Sequence, residues 1–271
     1  MTTQFTGTAQ ADPLHYGFFG VDDTILSAVL SEAMSKGADY ADLYFQQSRG
    51  SSLSLEDGIV SRASSSVDRG VGVRVVVGDQ TGYAYSEDLD LDAMRQAART
   101  AASIASGGGG VPPQAFKRGK QHDLYSISEP WGEVNVKRKV PFLQEVDRVA
   151  RSLESAISKV SVGLRDADSR VLVANSCGEV YADERPMGVL SVSVTAEKKG
   201  EIQTGFQSLA GRFGIEHYTP ERIKQLAQDA VTRCMVLYDA RRPPAGEMPV
   251  VLAAGASGIL LHEAIGHGME A

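Results

Sequence analysis

The stretch Gly70-Val71-Gly72-Val73-Arg74-Val75-Val76-Val77, followed by Gly78 to Gly82 and then Tyr83-Ala84-Tyr85, decides the fold class. Valines at 71, 73, 75 and 77 repeat at period two, so one face of an extended strand is apolar, and the glycine-bounded turn leads into another strand. Working back from it, Ala41, Leu43 and Phe45 alternate with more polar residues. Leu53 and Leu55 repeat that pattern before Asp57-Gly58, a dipeptide suited to a hairpin turn. The unit reads as a meander of antiparallel strands. Helices flank it. Asp22-Asp23 can cap a helix with Ile25, Leu26, Val29, Leu30, Ala33 and Met34 at helical spacing and Gly37 at its end. A second helix runs from about Leu89 to Ala105 along Met94, Ala98, Ala101 and Ile104.

Outward in the other direction, the segment of about 106–121 has a linker's composition, with four consecutive glycines, Pro112-Pro113 and Lys117-Arg118-Lys120. No phosphate-loop spacing accompanies the glycines. The pattern then starts again. Val140 to Ile157 predicts an amphipathic helix carrying Leu143, Val146, Val149, Ala150, Leu153 and Ile157, with Pro141 near its start. Strands are expected at Ser161 to Arg165, Arg170 to Ala174, Val189 to Ala196 and Ile202 to Leu209, with turns at Asn175 to Gly178 and Lys198-Lys199-Gly200. Thr219-Pro220 opens a helix reaching about Tyr238, with Ile223, Leu226, Ala227, Ala230, Val231 and Cys234 on its buried side. The expected architecture is α+β: two helix-plus-antiparallel-sheet modules, 1–119 and 120–242, followed from 243 to 271 by the start of a truncated third domain.

The chain has 271 residues, 42% hydrophobic and 23% charged, which describes a globular protein with ample core material. A net charge of -7 opposes nucleic acid or an anionic membrane as the main partner, since both need a basic face. Met1 to Gly20 shows no basic start followed by a long apolar run, so no signal peptide is expected, and nothing reaches transmembrane length. Two cysteines, Cys177 and Cys234, read as free thiols in a reducing cytoplasm. Cys234 fits a small core residue, and Cys177, beside Gly178 in a turn, is the more open to reaction.

Arg241 to Gly246 makes a second break, after which Pro249 to Ala253 reads as a buried strand and Ala256 to Ile265 as a helix. This third segment holds the chain's sharpest chemical signal, His262-Glu263-Ala264-Ile265-Gly266-His267. Neutral imidazoles bind zinc, and a carboxylate beside the metal can take a proton from water, so His262 and His267 are candidate metal ligands and Glu263 a candidate general base. Two satisfied structural histidines and an exposed glutamate would give the same letters. The spacing is unusual. At about 100° per residue, imidazoles five apart point roughly 140° away from each other on a regular helix. The helix must therefore bend or widen to bring both to one metal, most easily at Gly266. His15, His122 and His217 occur without paired ligands.

Three stretches together resemble the TldD/PmbA family, on its TldD side. They are Gly70 to Arg74 with Thr81-Gly82-Tyr83-Ala84, then Gly211-Arg212-Phe213-Gly214, and most specifically Pro249 to Leu252 leading into Leu261 to Gly268. The resemblance implies a zinc metallopeptidase that cuts unfolded peptides as a heterodimer with a paralogue, TldE or PmbA, lacking the metal motif. Family roles include microcin maturation and degradation of the CcdA antitoxin. It implies that His262 and His267 bind zinc and that Glu263 acts as general base. It also implies a third ligand, a cysteine, in a later region that this chain does not contain; Cys177 and Cys234 precede the motif and do not correspond to it. The competing expectation is a non-catalytic peptide-binding or scaffolding subunit of the same kind of complex.

Overall fold

A computed structural model describes residues 15–106, 112–118 and 124–270. In chain order the elements are α1 (Tyr16–Phe19), α2 (Asp23–Met34), β1 (Tyr40–Glu56), β2 (Ile59–Val77), β3 (Gln80–Ser86), α3 (Leu91–Ile104), β4 (Lys117–Arg118), α4 (Val136–Leu153), β5 (Ile157–Asn175), β6 (Glu179–Lys198), β7 (Glu201–Gly211), α5 (Pro220–Met235) and α6 (Ala256–Leu261). One compact unit runs to Tyr238 and a second begins at Asp239.

Local chemistry sets the helix starts and the reversals. Side chains of Asp22, Asp90 and Asn135 accept from the backbone N–H of Ile25, Ala93 and Lys137, satisfying donors that a first helical turn leaves free. Thr219 does the same for Arg222, with Pro220 in the first turn. Asp57-Gly58 and Lys199-Gly200 each take two consecutive positive φ values, 48° and 80° in the first and 53° and 81° in the second. That geometry matches the twist of a tight hairpin. The meander β1-β2-β3 and the hairpin β6-β7 therefore form as the alternation predicts.

The sheets of the two modules are one sheet, in the order β3-β2-β1-β5-β6-β4, with β7 also paired to β6. All pairings are antiparallel except β4 with β6. The fold is α+β. Two apolar cores share this sheet. In the first, Leu43 and Phe45 of β1, Val71, Val73 and Val75 of β2 and Leu172 of β5 pack under Leu26 and Leu30 of α2 and Met94 and Ala98 of α3. In the second, Leu53 and Leu55 of β1, Val160, Val162 and Leu164 of β5 and Leu190, Val192 and Val194 of β6 lie under Leu143 and Val146 of α4 and Leu226 and Ala230 of α5.

Several expectations are corrected. The short runs around Ala41 and Leu53 belong to one strand, as do Ser161–Arg165 and Arg170–Ala174, because the polar residues between them are also paired. In the β1–β5 ladder Gln47 faces Arg170, Arg49 faces Asp168 and Ser51 faces Asp166, a polar band between the two cores. Its two carboxylates are satisfied locally. The Lys139 ammonium reaches both Asp166 oxygens at 2.9 and 2.8 Å and the Ser51 hydroxyl at 3.0 Å, with the Trp131 ring 5.5 Å away. Lys139 and Asp166 are both buried. The Gly132 N–H donates to Asp168 at 2.5 Å. Burial nevertheless pushes the Asp168 carboxyl above its ordinary range, against the lowering effect of the Gly132 and Trp131 N–H groups.

Helix α4 starts and ends four residues before the predicted bounds, since Asn135 supplies the cap; Pro141 thus lies inside it and Ile157 opens β5. Where a flexible linker is expected, Lys117–Arg118 pairs with Glu179–Val180, and Gln114 N–H donates to Ser176 O at 2.9 Å. Residues 107–111 and 119–121 of that segment, Met1 to Leu14 and His122 lie outside the described residues. The buried strand expected at Pro249 to Ala253 does not form, and Val251 is 93% exposed. A strand needs a ladder partner, and among the described residues of that unit none is extended beside it.

Each core also depends on a glycine in a strand that runs under a helix. A Cβ on Gly82 of β3 would collide with the Ala101 carbonyl of α3, and one on Gly205 of β7 with the Ala230 carbonyl of α5. Gly205→Ala is expected to destabilise the unit by about 1–3 kcal/mol, because the helix must move off the strand; thermal unfolding measures it. Lys139→Met leaves Asp166 buried without its partner, and a loss of about 3–5 kcal/mol is expected, largely recovered when Asp166→Leu is added. Denaturant titration of both variants tests whether the ion pair or the stem packing matters. For Asp168 the sign is the opposite of an ordinary ion-paired carboxylate. A pKa raised by folding gives stability that is complete below the unfolded value and is lost as pH rises through the folded one. Asp168→Asn should flatten that decline in unfolding midpoint above about pH 4.

Candidate metal centre

The motif lies in the unit that begins at Asp239. Helix α6 ends at Leu261, a π-turn covers His262–Gly266, and a 3-10 turn covers His267–Met269. In a π-turn a backbone N–H bonds to the carbonyl five residues earlier, so residues five apart lie nearly over one another. The His267 N–H donates to the His262 carbonyl in this way. The widened turn removes the angular mismatch of the five-residue spacing, and the two imidazole centroids stand 4.5 Å apart.

Gly266 contributes space and not an unusual dihedral. Its φ of -58° and ψ of -50° are those of any helical residue, whereas a Cβ there would lie 3.3 Å from Nδ1 of His262. The helix widens here without drawing on glycine's freedom to take a positive φ.

Two carboxylates flank His267 at its two nitrogens. Glu263 Oε2 is 3.4 Å from Nε2, and Glu270 Oε2 is 3.1 Å from Nδ1. Ligand atoms of His262, His267 and Glu270 all lie within 4.8 Å of one another. Among the described residues this is the cluster of that kind, and its members are exposed. Nitrogen and oxygen donors in such a set suit a divalent first-row metal. Glu270 was not singled out in the sequence, although its position three residues after His267 places it on the same side of a 3-10 turn.

The cysteines lie elsewhere. Cys234 is buried on α5, where burial raises its thiol pKa and its sulfur is 3.3 Å from the Gln203 carbonyl. Cys177 is exposed in the turn after β5, its N–H donating to Asn175 Oδ1. His217 stacks on Phe213 with centroids 3.6 Å apart, and its ring nitrogens face the Arg222 guanidinium.

The family to which the chain belongs is given by comparison with known proteins. Two family models match the chain, described as PmbA/TldA metallopeptidase domain 1 over residues 41–105 and PmbA/TldA metallopeptidase central domain over 129–238. The chain belongs to the TldD/PmbA metallopeptidase family. It is 39% identical over 242 residues to a protein named metalloprotease TldD homolog from Haemophilus influenzae, covering 87% of this chain and 50% of the relative. With the Buchnera aphidicola (Acyrthosiphon pisum) protein of the same name the identity is 30% over 257 residues, covering 92% and 53%.

The fold is shared with a Thermotoga maritima structure described as a candidate modulator of DNA gyrase, at a TM-score of 0.65 and 16% identity over 83% of this chain and 50% of that one. It is also shared with TldE from Thermococcus kodakarensis, at 0.56 and 16% over 78% and 47%. The chain spans about half the length of the curated relatives it matches. Among the described residues no helix is long and apolar enough to cross a membrane.

Proposed function

We propose that this chain is a TldD-like zinc metallopeptidase subunit that hydrolyses peptide bonds in unfolded peptides or small proteins, working in the cytoplasm with a TldE/PmbA-like paralogue. The observation that carries the reading is the π-turn, which sets His262 and His267 side by side with Glu263 against the second ring. Relatives named as metalloproteases support it.

The donors fit zinc, with His262 and His267 as its ligands in this chain. Catalytic zinc sites usually take three protein ligands and leave one position open. The third ligand in this reading is the cysteine that the resemblance implies in a later region. Zinc would supply Lewis acidity to an attacking water and to a peptide carbonyl. Glu263, beside Nε2 of His267, would take the proton from that water and return it to the leaving nitrogen. Glu270 would accept the Nδ1 proton of the same ring, fixing the tautomer whose Nε2 lone pair is free. An extended peptide could be held by main-chain bonds along a sheet edge such as β7, which pairs with β6 on one side.

In the full-length protein supplied with its TldE-like partner, Glu263→Gln is expected to keep zinc and lose about 10²–10⁴-fold in peptide cleavage. Glu270→Ala is expected to lower zinc affinity about 10–100-fold, measured by competition with a chromophoric chelator. Absence of both zinc and cleavage in the unmutated protein would overturn the peptidase reading and leave a non-catalytic peptide-binding subunit.

A further inference from the structure

We infer that the outer edge of β2, from Arg62 to Asp68, is a pairing surface for a second copy of this chain. β3 pairs with β2 over Val71–Val77, and among the described residues no strand pairs with the outer side of β2 before Val71. Every residue from Ile59 to Arg69 is exposed, including Val67 at 59%. The backbone groups pointing outward along this stretch are a template for another strand. Between Arg62 and Asp68 there is no proline and no bulge, the register shift with β1 falling just before Arg62, and the charges of the edge stand only at the two ends of this stretch.

The sequence of the edge favours a copy of itself. In antiparallel self-pairing about Ser65, that residue faces its own equivalent, Ser64 faces Ser66, Ala63 faces Val67, and Arg62 faces Asp68. Two opposite-charge pairs and two small apolar pairs arise from one two-fold axis. Opposite charges directly across a ladder attract and like charges repel, so this register is specified over its neighbours. Among the described residues neither Arg62 nor Asp68 is engaged in an ion pair within the chain. The small hydroxyls between them let two backbones approach without steric conflict. Pairing would join two sheets across an isologous contact, and this proposal does not depend on the peptidase reading.

The contact is short, so trapping is the suitable measurement. In a Cys177→Ser background of the full-length protein, Ser65→Cys is expected to give predominantly disulfide-linked dimer under mild oxidation, since directly opposed Cβ atoms lie about 4.5–5.5 Å apart. Val67→Cys should give at most a small fraction of it, because equivalent residues there are offset by four positions, about 13 Å. Arg62→Asp is expected to weaken concentration-dependent dimerisation, read by sedimentation, at least tenfold, and the double variant with Asp68→Arg to restore it to within about threefold. Equal trapping at residues 65 and 67, or no rescue by the charge swap, overturns the proposal. So does protection of β2 amides from hydrogen exchange in a monomer, which would give the edge to an extended peptide, a paralogue or another part of the same chain.

Discussion

The buried contact between Lys139 and Asp166 is the constraint around which this sheet is arranged. β1 and β5 are each long enough to run through both apolar cores, and between the cores the same faces carry Gln47, Arg49 and Ser51 against Arg170, Asp168 and Asp166. A carboxylate at the buried position of Asp166 is tolerable only with a matched cation and further hydrogen bonds. Lys139 from α4 supplies the cation at 2.8 and 2.9 Å, and the Ser51 hydroxyl donates a hydrogen bond at 2.7 Å. The pair gives little net stability by itself, but it fixes where α4 must sit and the register in which β1 and β5 meet. Two modules thereby become one continuous sheet.

The cores on either side follow a common plan. In each, a helix lies so close to a strand that only glycine fits beneath it, Gly82 under α3 and Gly205 under α5. Tight hairpins at Asp57-Gly58 and Lys199-Gly200 return the long strands. Stability is therefore spread over many small apolar contacts, while a few positions without side chains set the distances between layers.

At the metal centre the decisive feature is a backbone one. A regular helix would point His262 and His267 to different sides, and one i to i+5 hydrogen bond brings their rings together. The two carboxylates then divide between the nitrogens of a single imidazole. Glu263 thus stands beside one nitrogen of His267 and Glu270 beside the other, a division that residue types alone do not disclose.

Alternation at period two, helical stripes, aspartate and threonine caps and the glycine turns are local properties, and they were enough to determine the α+β class, the meander, the second helix-and-sheet module and the histidine-glutamate motif with its need for a widened helix. What the tertiary structure decided was joint and long-range. Asp166 reads in sequence as a break in an apolar pattern, and Lys139 as a stray charge on the buried stripe of α4; they come together only when α4 crosses the sheet, although they stand 27 positions apart in the chain. The same holds for the fusion of short strands into long ones, since a polar residue stays in a strand when a neighbour across the ladder or above the sheet satisfies it. Pro249 to Ala253 shows the converse. Its letters are those of a buried strand, and it is none here, because burial and strand pairing are supplied by neighbours and not by the segment itself.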